Sequence, residues 1–295
     1  MRHRFLTFAL LSPVLMLTAV AASLPETYRD AKAALEAGDP AKAVTLLEPA
    51  LAAKGGDESQ RTLAGLALGL GYLRTGKAEA AIPLFEKAAA SWTGKAESAE
   101  PLAPLGDALR ATGKTAEART AYAKATAAAP GNALGKYAQA RTLELTGEDQ
   151  AAQKDYQKAA ESFLSAGDAL LALGAEDPAY LADARALFVK IAQTREWRGE
   201  PTARAVFSMG EVERAQGHLP EALAYYQRTF ASWTRYPHWC AQAYLRAADC
   251  MEKLGKHDFA LQHLREMVNR PEKYGQLPEY QQAKKQLRAW GEKVE

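Results

Sequence analysis

The chain has 295 residues, 48% of them hydrophobic and 24% charged, with a formal net charge of +2. It holds only two isoleucines, Ile82 and Ile191, few valines and no alternating apolar run, which excludes a β-sheet core. Lys and Arg so nearly balance Asp and Glu that no basic excess is left for a nucleic-acid partner.

The first segment reads as a leader. Met1-Arg-His-Arg4 is a short basic start, Phe5 to Val20 is apolar, and Ala19-Val-Ala21 is a small-residue cleavage pattern. The apolar run is short for a membrane span and contains Pro13. Residues 1–22 are therefore expected to be a signal peptide and residues 23–295 a single exported domain. That domain is expected to be soluble in the periplasm or secreted, with no membrane insertion. Removal of Arg2 and Arg4 leaves 35 basic against 35 acidic residues.

From there glycine recurs at a fixed cadence. Gly38, Gly76, Gly113, Gly147, Gly217 and Gly255 are separated by 38, 37, 34, 70 and 38 residues, and 70 is two steps of 35. A glycine returning at helix-turn-helix length marks a repeat array. The first unit, from residue 24, carries Ala31, Gly38, Ala43, Leu47 and Ala50. Residues 62–95 carry Leu68-Gly69, Tyr72, Gly76, Ala81, Phe85 and Ala88. In the clearest unit, 99–132, Leu102, Leu105, Gly106 and Leu109 form one apolar stripe, and Ala118, Tyr122 and Ala125 form a second. Gly113 ends the first helix in a left-handed cap, and Pro130 stops the second. Gly106 and Ala118 let the helices approach, with Tyr122 filling the space beside them.

The spacing then predicts, over 133–164, a turn at Gly147 followed by Ala152, Tyr156 and Ala159. Between 160 and 200, Phe163, Ala166-Gly167 and Leu170 read as a first helix. Gly174 to Pro178 is a long turn, with Gly167-Asp168 as the alternative turn, and Ala184, Phe188 and Ile191 mark a second helix. Residues 203–236 carry Met209-Gly210, Gly217, Ala222 and Tyr226. Residues 241–271 carry Tyr244, Ala247-Ala248, Met251, Gly255, Ala260, Leu264 and Pro271. Pro278 to Trp290 reads as one helix covering the end of the stack.

These positions resemble the tetratricopeptide repeat, whose 34-residue pattern is W-x2-L-G-x2-Y, then A-x3-F, an alanine and a proline. The resemblance covers roughly residues 24 to 290. It implies an all-α, right-handed superhelix of about seven helix-turn-helix units with a C-terminal capping helix. It also implies a concave groove lined by the first helix of each unit and holding a protein or peptide partner. Family groove positions fall here on Asp107, Arg110, Tyr137, Arg141, Glu144, Arg204, Phe207, Glu211, Arg214, Leu245, Asp249 and Glu252. Arginines mixed with Tyr137 and Phe207 suit a peptide, and one extended partner is expected to bridge the patch of Tyr137 and Arg141 and that of Arg204, Phe207, Glu211 and Arg214. Both aromatic side chains are expected to face solvent in the free protein. The lysine-asparagine carboxylate clamp of chaperone-tail binders is absent: the corresponding positions hold Leu66 and Leu70, Ala103 and Asp107, Tyr137 and Arg141.

Trp233, Tyr236 and Trp239 form a candidate aromatic anchor where two units meet, the alternative being packing between units. Trp197 poses the same choice. Tyr236-Pro237 and the residues after it, through Ala260, resemble periplasmic repeat proteins of bacterial envelope machinery, of the Tol-Pal-associated coordinator type. A second reading is therefore an accessory that holds envelope glycan or peptidoglycan without catalysis, with Trp233 and Trp239 stacking on sugars.

Motifs that mimic chemistry have plainer readings. Gly71 to Gly76-Lys77 nearly spells a phosphate loop, but Ala78 offers no hydroxyl and no strand precedes it. His218, His238, His257 and His263 include no i, i+4 pair, so no metal and no cofactor is expected. Cys240 and Cys250 lie ten residues apart on one predicted helix, roughly 15 Å along its axis, too far for a disulfide. The expectation is a non-enzymatic adaptor.

Overall fold

The computed structural model of the protein describes residues 22–53 and 55–294. All but the last residue of the expected leader lies outside the described residues. Every regular element among the described residues is helical, as the shortage of β-branched residues requires.

The helices pair in chain order: α1 (Leu24–Glu36) with α2 (Pro40–Ala52), α3 (Glu58–Arg74) with α4 (Ala78–Ser91), and α5 (Ala99–Ala111) with α6 (Thr115–Ala128). Next come α7 (Ala133–Ala152), α8 (Tyr156–Leu173) and α9 (Ala179–Gln193). Then α10 (Glu200–Ala215) pairs with α11 (Leu219–Ser232), and α12 (Pro237–Lys253) with α13 (His257–Val268). The short α14 (Pro271–Tyr274) leads to α15 (Pro278–Ala289), the expected closing helix, which packs on α12 and α13.

Local signals set these boundaries. The Asp39 carboxylate accepts the Lys42 N–H at 3.0 Å, with Pro40 in the first turn, and Asp57 and Gln60 form a reciprocal capping box. Gly38, Gly76, Gly113, Gly217 and Gly255 all sit between paired helices at φ of 70–81°, the left-handed conformation their spacing predicts.

Gly147 is the exception and corrects the expected register. It lies inside α7, and the turn falls later, at Lys154 with φ 62°. Gly147 instead faces the Phe163 ring, where an added Cβ would come within 3.0 Å. Tyr156, expected as the packing aromatic, is the exposed first residue of α8. The same close approach holds the other pairs: Gly69 against Phe85, Gly106 against Tyr122, Gly167 against Phe188 and Gly210 against Tyr226. In α12 and α13 the buried Ala247, Ala248 and Leu264 take these places.

Helix α8 therefore belongs to two pairs. Its Phe163 fills the gap at Gly147 of α7, and its Gly167 receives Phe188 of α9. The separate first helix that had been expected before α9 is not found among the described residues, where the thirteen helices α1 to α13 make seven pairings. The helices that touch across units change accordingly. Before α8 they are α1 with α3, α3 with α5, and α5 with α7. After it they are α8 with α10, α10 with α12, and α12 with α15. The inner layer passes from odd to even helices, so the first helices line two grooves rather than one. The single groove expected from the sequence is thus divided.

Candidate functional site

The first groove is built from α3, α5 and α7 and ends against the start of α9. Leu66, Leu70 and Leu73 of α3 recur at i, i+4 and i+7, so they share one face. That face is separate from the stripe that packs Gly69 on Phe85. With Ala103 and Pro104 of α5 and Leu134 of α7 they line a cavity of about 500 Å³. Tyr137 and Tyr180 form its aromatic wall, ring centroids 5.4 Å apart. Glu100, Asp107, Asp177 and Asp183 place carboxylates on the same lining, together with Arg74.

One hydrogen-bonded network joins five of the expected site residues. Tyr122 donates to Asp107 at 2.6 Å, and the Tyr137 hydroxyl donates to the same carboxylate at 2.9 Å. Arg141 donates from Nε to the Tyr137 hydroxyl at 2.9 Å, from Nη1 to Glu144 at 2.8 Å, and from Nη2 to Asp183. Arg110 donates to Glu144 at 2.7 Å and Glu148 at 2.8 Å. Burial pushes the Asp107 carboxyl up from its ordinary value, against the opposing pull of Tyr122, Arg141 and Tyr137. Burial acts on Glu144 in the same direction, but Arg110 and Arg141 outweigh it and hold that carboxyl below its usual range.

Tyr137 is thus not the solvent-facing residue expected from its groove position: only 9% of it is exposed. The first turn of α9 folds over it, bringing Tyr180 against its ring and Asp183 onto Arg141. Phe207 is corrected likewise. It is 6% exposed, held between the Tyr226 and Trp239 rings at 5.6 and 5.7 Å.

The second groove collects the remaining expected residues. Arg204 of α10 pairs with Asp168 of α8 and lies over the Trp239 ring. Glu211 accepts from Tyr226 at 2.6 Å and from Arg214 and Arg246. Arg214, Leu245, Asp249 and Glu252 line a cavity of about 440 Å³ with Trp290, the residue that follows α15. Trp239 joins this groove through Phe207, and its indole N–H donates to Glu200 at 3.2 Å. Its ring contacts are with Phe207 and His238. The Tyr236 hydroxyl lies beside Gly199. Trp197 is buried against Phe163, which settles it as packing.

A larger cleft of about 730 Å³ lies between α4, α5 and α6 on the other side of the first repeats. Alanines and the stems of Lys95 and Lys124 line much of it, with no aromatic wall, so it ranks below the α3–α5–α7 groove as a recognition site. Cys240 and Cys250 are both buried free thiols. Among the described residues, no group of three His, Cys, Asp or Glu is placed to hold a metal ion, and no helix is long and apolar enough to cross a membrane.

Sequence reasoning missed Leu73, Leu134, Tyr180, Asp177, Asp183 and Glu100 as groove residues, and saw Leu66 and Leu70 only as the loss of a clamp. The i, i+4, i+7 leucines of α3 were a readable signal.

Residues 25–147 match a family model described as a tetratricopeptide repeat-like domain, and residues 202–273 match one described as a tetratricopeptide repeat. Together the two spans take in more than half of the chain. No curated protein matches. Among solved structures, a tetratricopeptide repeat protein from Parabacteroides merdae is 16% identical, with 83% of this chain and 79% of that one covered and a TM-score of 0.39. The C-terminal part of a repeat-containing protein from Cytophaga hutchinsonii is 13% identical, covering 87% and 98%, also at 0.39. A Rap protein complexed with competence and sporulation factor is 14% identical, covering 90% and 74%, at 0.39.

Proposed function

Because the chain belongs to the tetratricopeptide-repeat proteins, we propose that it is a non-enzymatic interaction scaffold that holds an extended protein segment in the groove of α3, α5 and α7. One observation carries this reading. Leu70, Leu73, Leu134 and Tyr180 are left partly exposed around a cavity of about 500 Å³. Such apolar surface, rimmed by charge, stays in water only at a cost unless a partner covers it. Most of the groove arginines are engaged within the chain, so they hold the walls in place while apolar contact supplies affinity.

We place the scaffold in the bacterial periplasm. The basic start, the apolar run and Ala19-Val-Ala21 support that assignment, as does the likeness of Tyr236 to Ala260 to envelope repeat proteins. Mass spectrometry of protein from its native host should find a new N-terminus near Ala22 or Ser23, and an intact Met1 in the soluble fraction would overturn it. The glycan reading is not favoured, because the Trp239 ring already lies against Phe207 and Arg204. The scaffold reading is tested with envelope extract passed over immobilised wild-type and Leu70→Asp proteins. Specific partners should be retained by the first and lost from the second, and equal recovery would place binding elsewhere.

A further inference from the structure

We infer that the α3–α5–α7 groove selects a segment in which an apolar side chain lies beside a lysine or arginine. This rests on reading that groove as the docking site and adds the chemistry of its occupant. Four carboxylates line the cavity, and each has a different standing. Asp107 is met by the Tyr122 and Tyr137 hydroxyls, and Asp183 by Arg141. Glu100, on α5, and Asp177, ahead of α9, make no ion pair among the described residues. The Asp177 carboxylate accepts only the backbone N–H of Ala179, at 2.9 Å. The lining has one guanidinium, Arg74, which donates to the Leu35 carbonyl.

Counting Arg141 as the partner of Asp183, the cavity carries two more carboxylates than cations. The two carboxylates with no side-chain partner, Glu100 and Asp177, are exposed, beside a cavity lined by leucines. A low-dielectric cleft with one excess sign concentrates the opposite charge. A lysine or arginine fits both parts: its stem covers apolar surface while its head remains in water beside Glu100 or Asp177. The neighbouring apolar side chain takes the space over Leu70 and Leu73, against the Tyr180 ring. An acidic segment would meet like charge at both carboxylates. The second groove lacks this bias, since Asp249 pairs with Lys253 and Glu211 with Arg214 and Arg246.

The test is selection of a displayed random dodecapeptide library on three full-chain proteins: wild type, Glu100→Gln with Asp177→Asn, and Leu70→Asp. The asparagine side-chain oxygen can still accept the Ala179 N–H, so the double variant changes charge and little else. The wild type should enrich peptides with Lys or Arg within two residues of a large apolar residue. The double variant should bind a synthetic copy of the commonest peptide about tenfold more weakly, with a shallower salt dependence. Peptides that Leu70→Asp abolishes, but that show no basic excess or bind the double variant equally well, would overturn the inference and leave the groove reading standing. Absence of enrichment, or enrichment untouched by Leu70→Asp, would overturn both.

Discussion

Replacing Tyr137 by phenylalanine removes one oxygen atom from the centre of the groove network. The hydroxyl donates to Asp107 and accepts from Arg141, each at 2.9 Å, on a side chain that is 9% exposed. Hydrogen bonds to charged groups contribute about 1.5–3 kcal/mol each. Neither charge is left alone, since Asp107 keeps Tyr122 and Arg141 keeps Glu144 and Asp183. The adjoining cavity also admits water that can replace part of what is lost. The expected cost is therefore about 2 kcal/mol, or a fall in Tm of about 4–8 °C for a chain approaching this size. Packing on Tyr180 is retained, so Tyr137→Ala should cost more, about 3–5 kcal/mol. Urea unfolding followed by far-ultraviolet circular dichroism measures both, and hydrogen exchange places the loss in α7 and the start of α9. Phenylalanine behaving within 0.5 kcal/mol of wild type, about the size of an ordinary surface change, would show that the hydroxyl faces solvent and that the network does not exist.

Lys154 occupies the left-handed region without being glycine, so Lys154→Gly should raise stability by about 1 kcal/mol, read as a higher urea midpoint. Ala118 is fully buried where α5 meets α6, and Ala118→Leu should cost on the order of 1–3 kcal/mol, with exchange rising first in those two helices. The Glu144 carboxyl is held below its unfolded value near 4.5, so its contribution is present above that pH and lost as pH falls through the folded value. Glu144→Gln should therefore be less stable than wild type at pH 7, with the gap closing below about pH 4.5 in a urea series run across pH. Asp107 and Asp168, raised by burial, act with the opposite sign: their stabilisation is present at low pH and is lost as pH rises through their folded values. They soften the acid loss.

The repeat architecture was legible because five glycines serve one purpose at one spacing, and only a left-handed turn requires that. Gly147 was misread because glycine has a second use, close approach of a facing ring, which looks the same in a sequence. The turn it displaced falls on Lys154, a residue with no turn signature. The double role of α8 follows from two residues four apart, Phe163 and Gly167, each matching a different half of the repeat pattern. Reading either alone gives a regular array, and only packing reveals that both hold. Tyr137 and Phe207 were expected to face solvent, but both are buried by partners far along the chain, Tyr180 and Trp239. The arginines of the expected site were likewise seen as free contacts, whereas Arg110, Arg141 and Arg204 close onto carboxylates of neighbouring helices. A polar face that pairs with itself cannot be told from one awaiting a partner by residue type alone.

The central claim is that partners dock on the inner face of α3, α5 and α7. A photo-crosslinking amino acid placed at Leu70 tests it directly when compared with the same group at Ala123, an exposed position on α6. Irradiated in envelope extract, the Leu70 protein should yield discrete adducts with one or a few partner chains and the Ala123 protein none. Adducts from Ala123 alone, or equal labelling from both positions, would contradict the account.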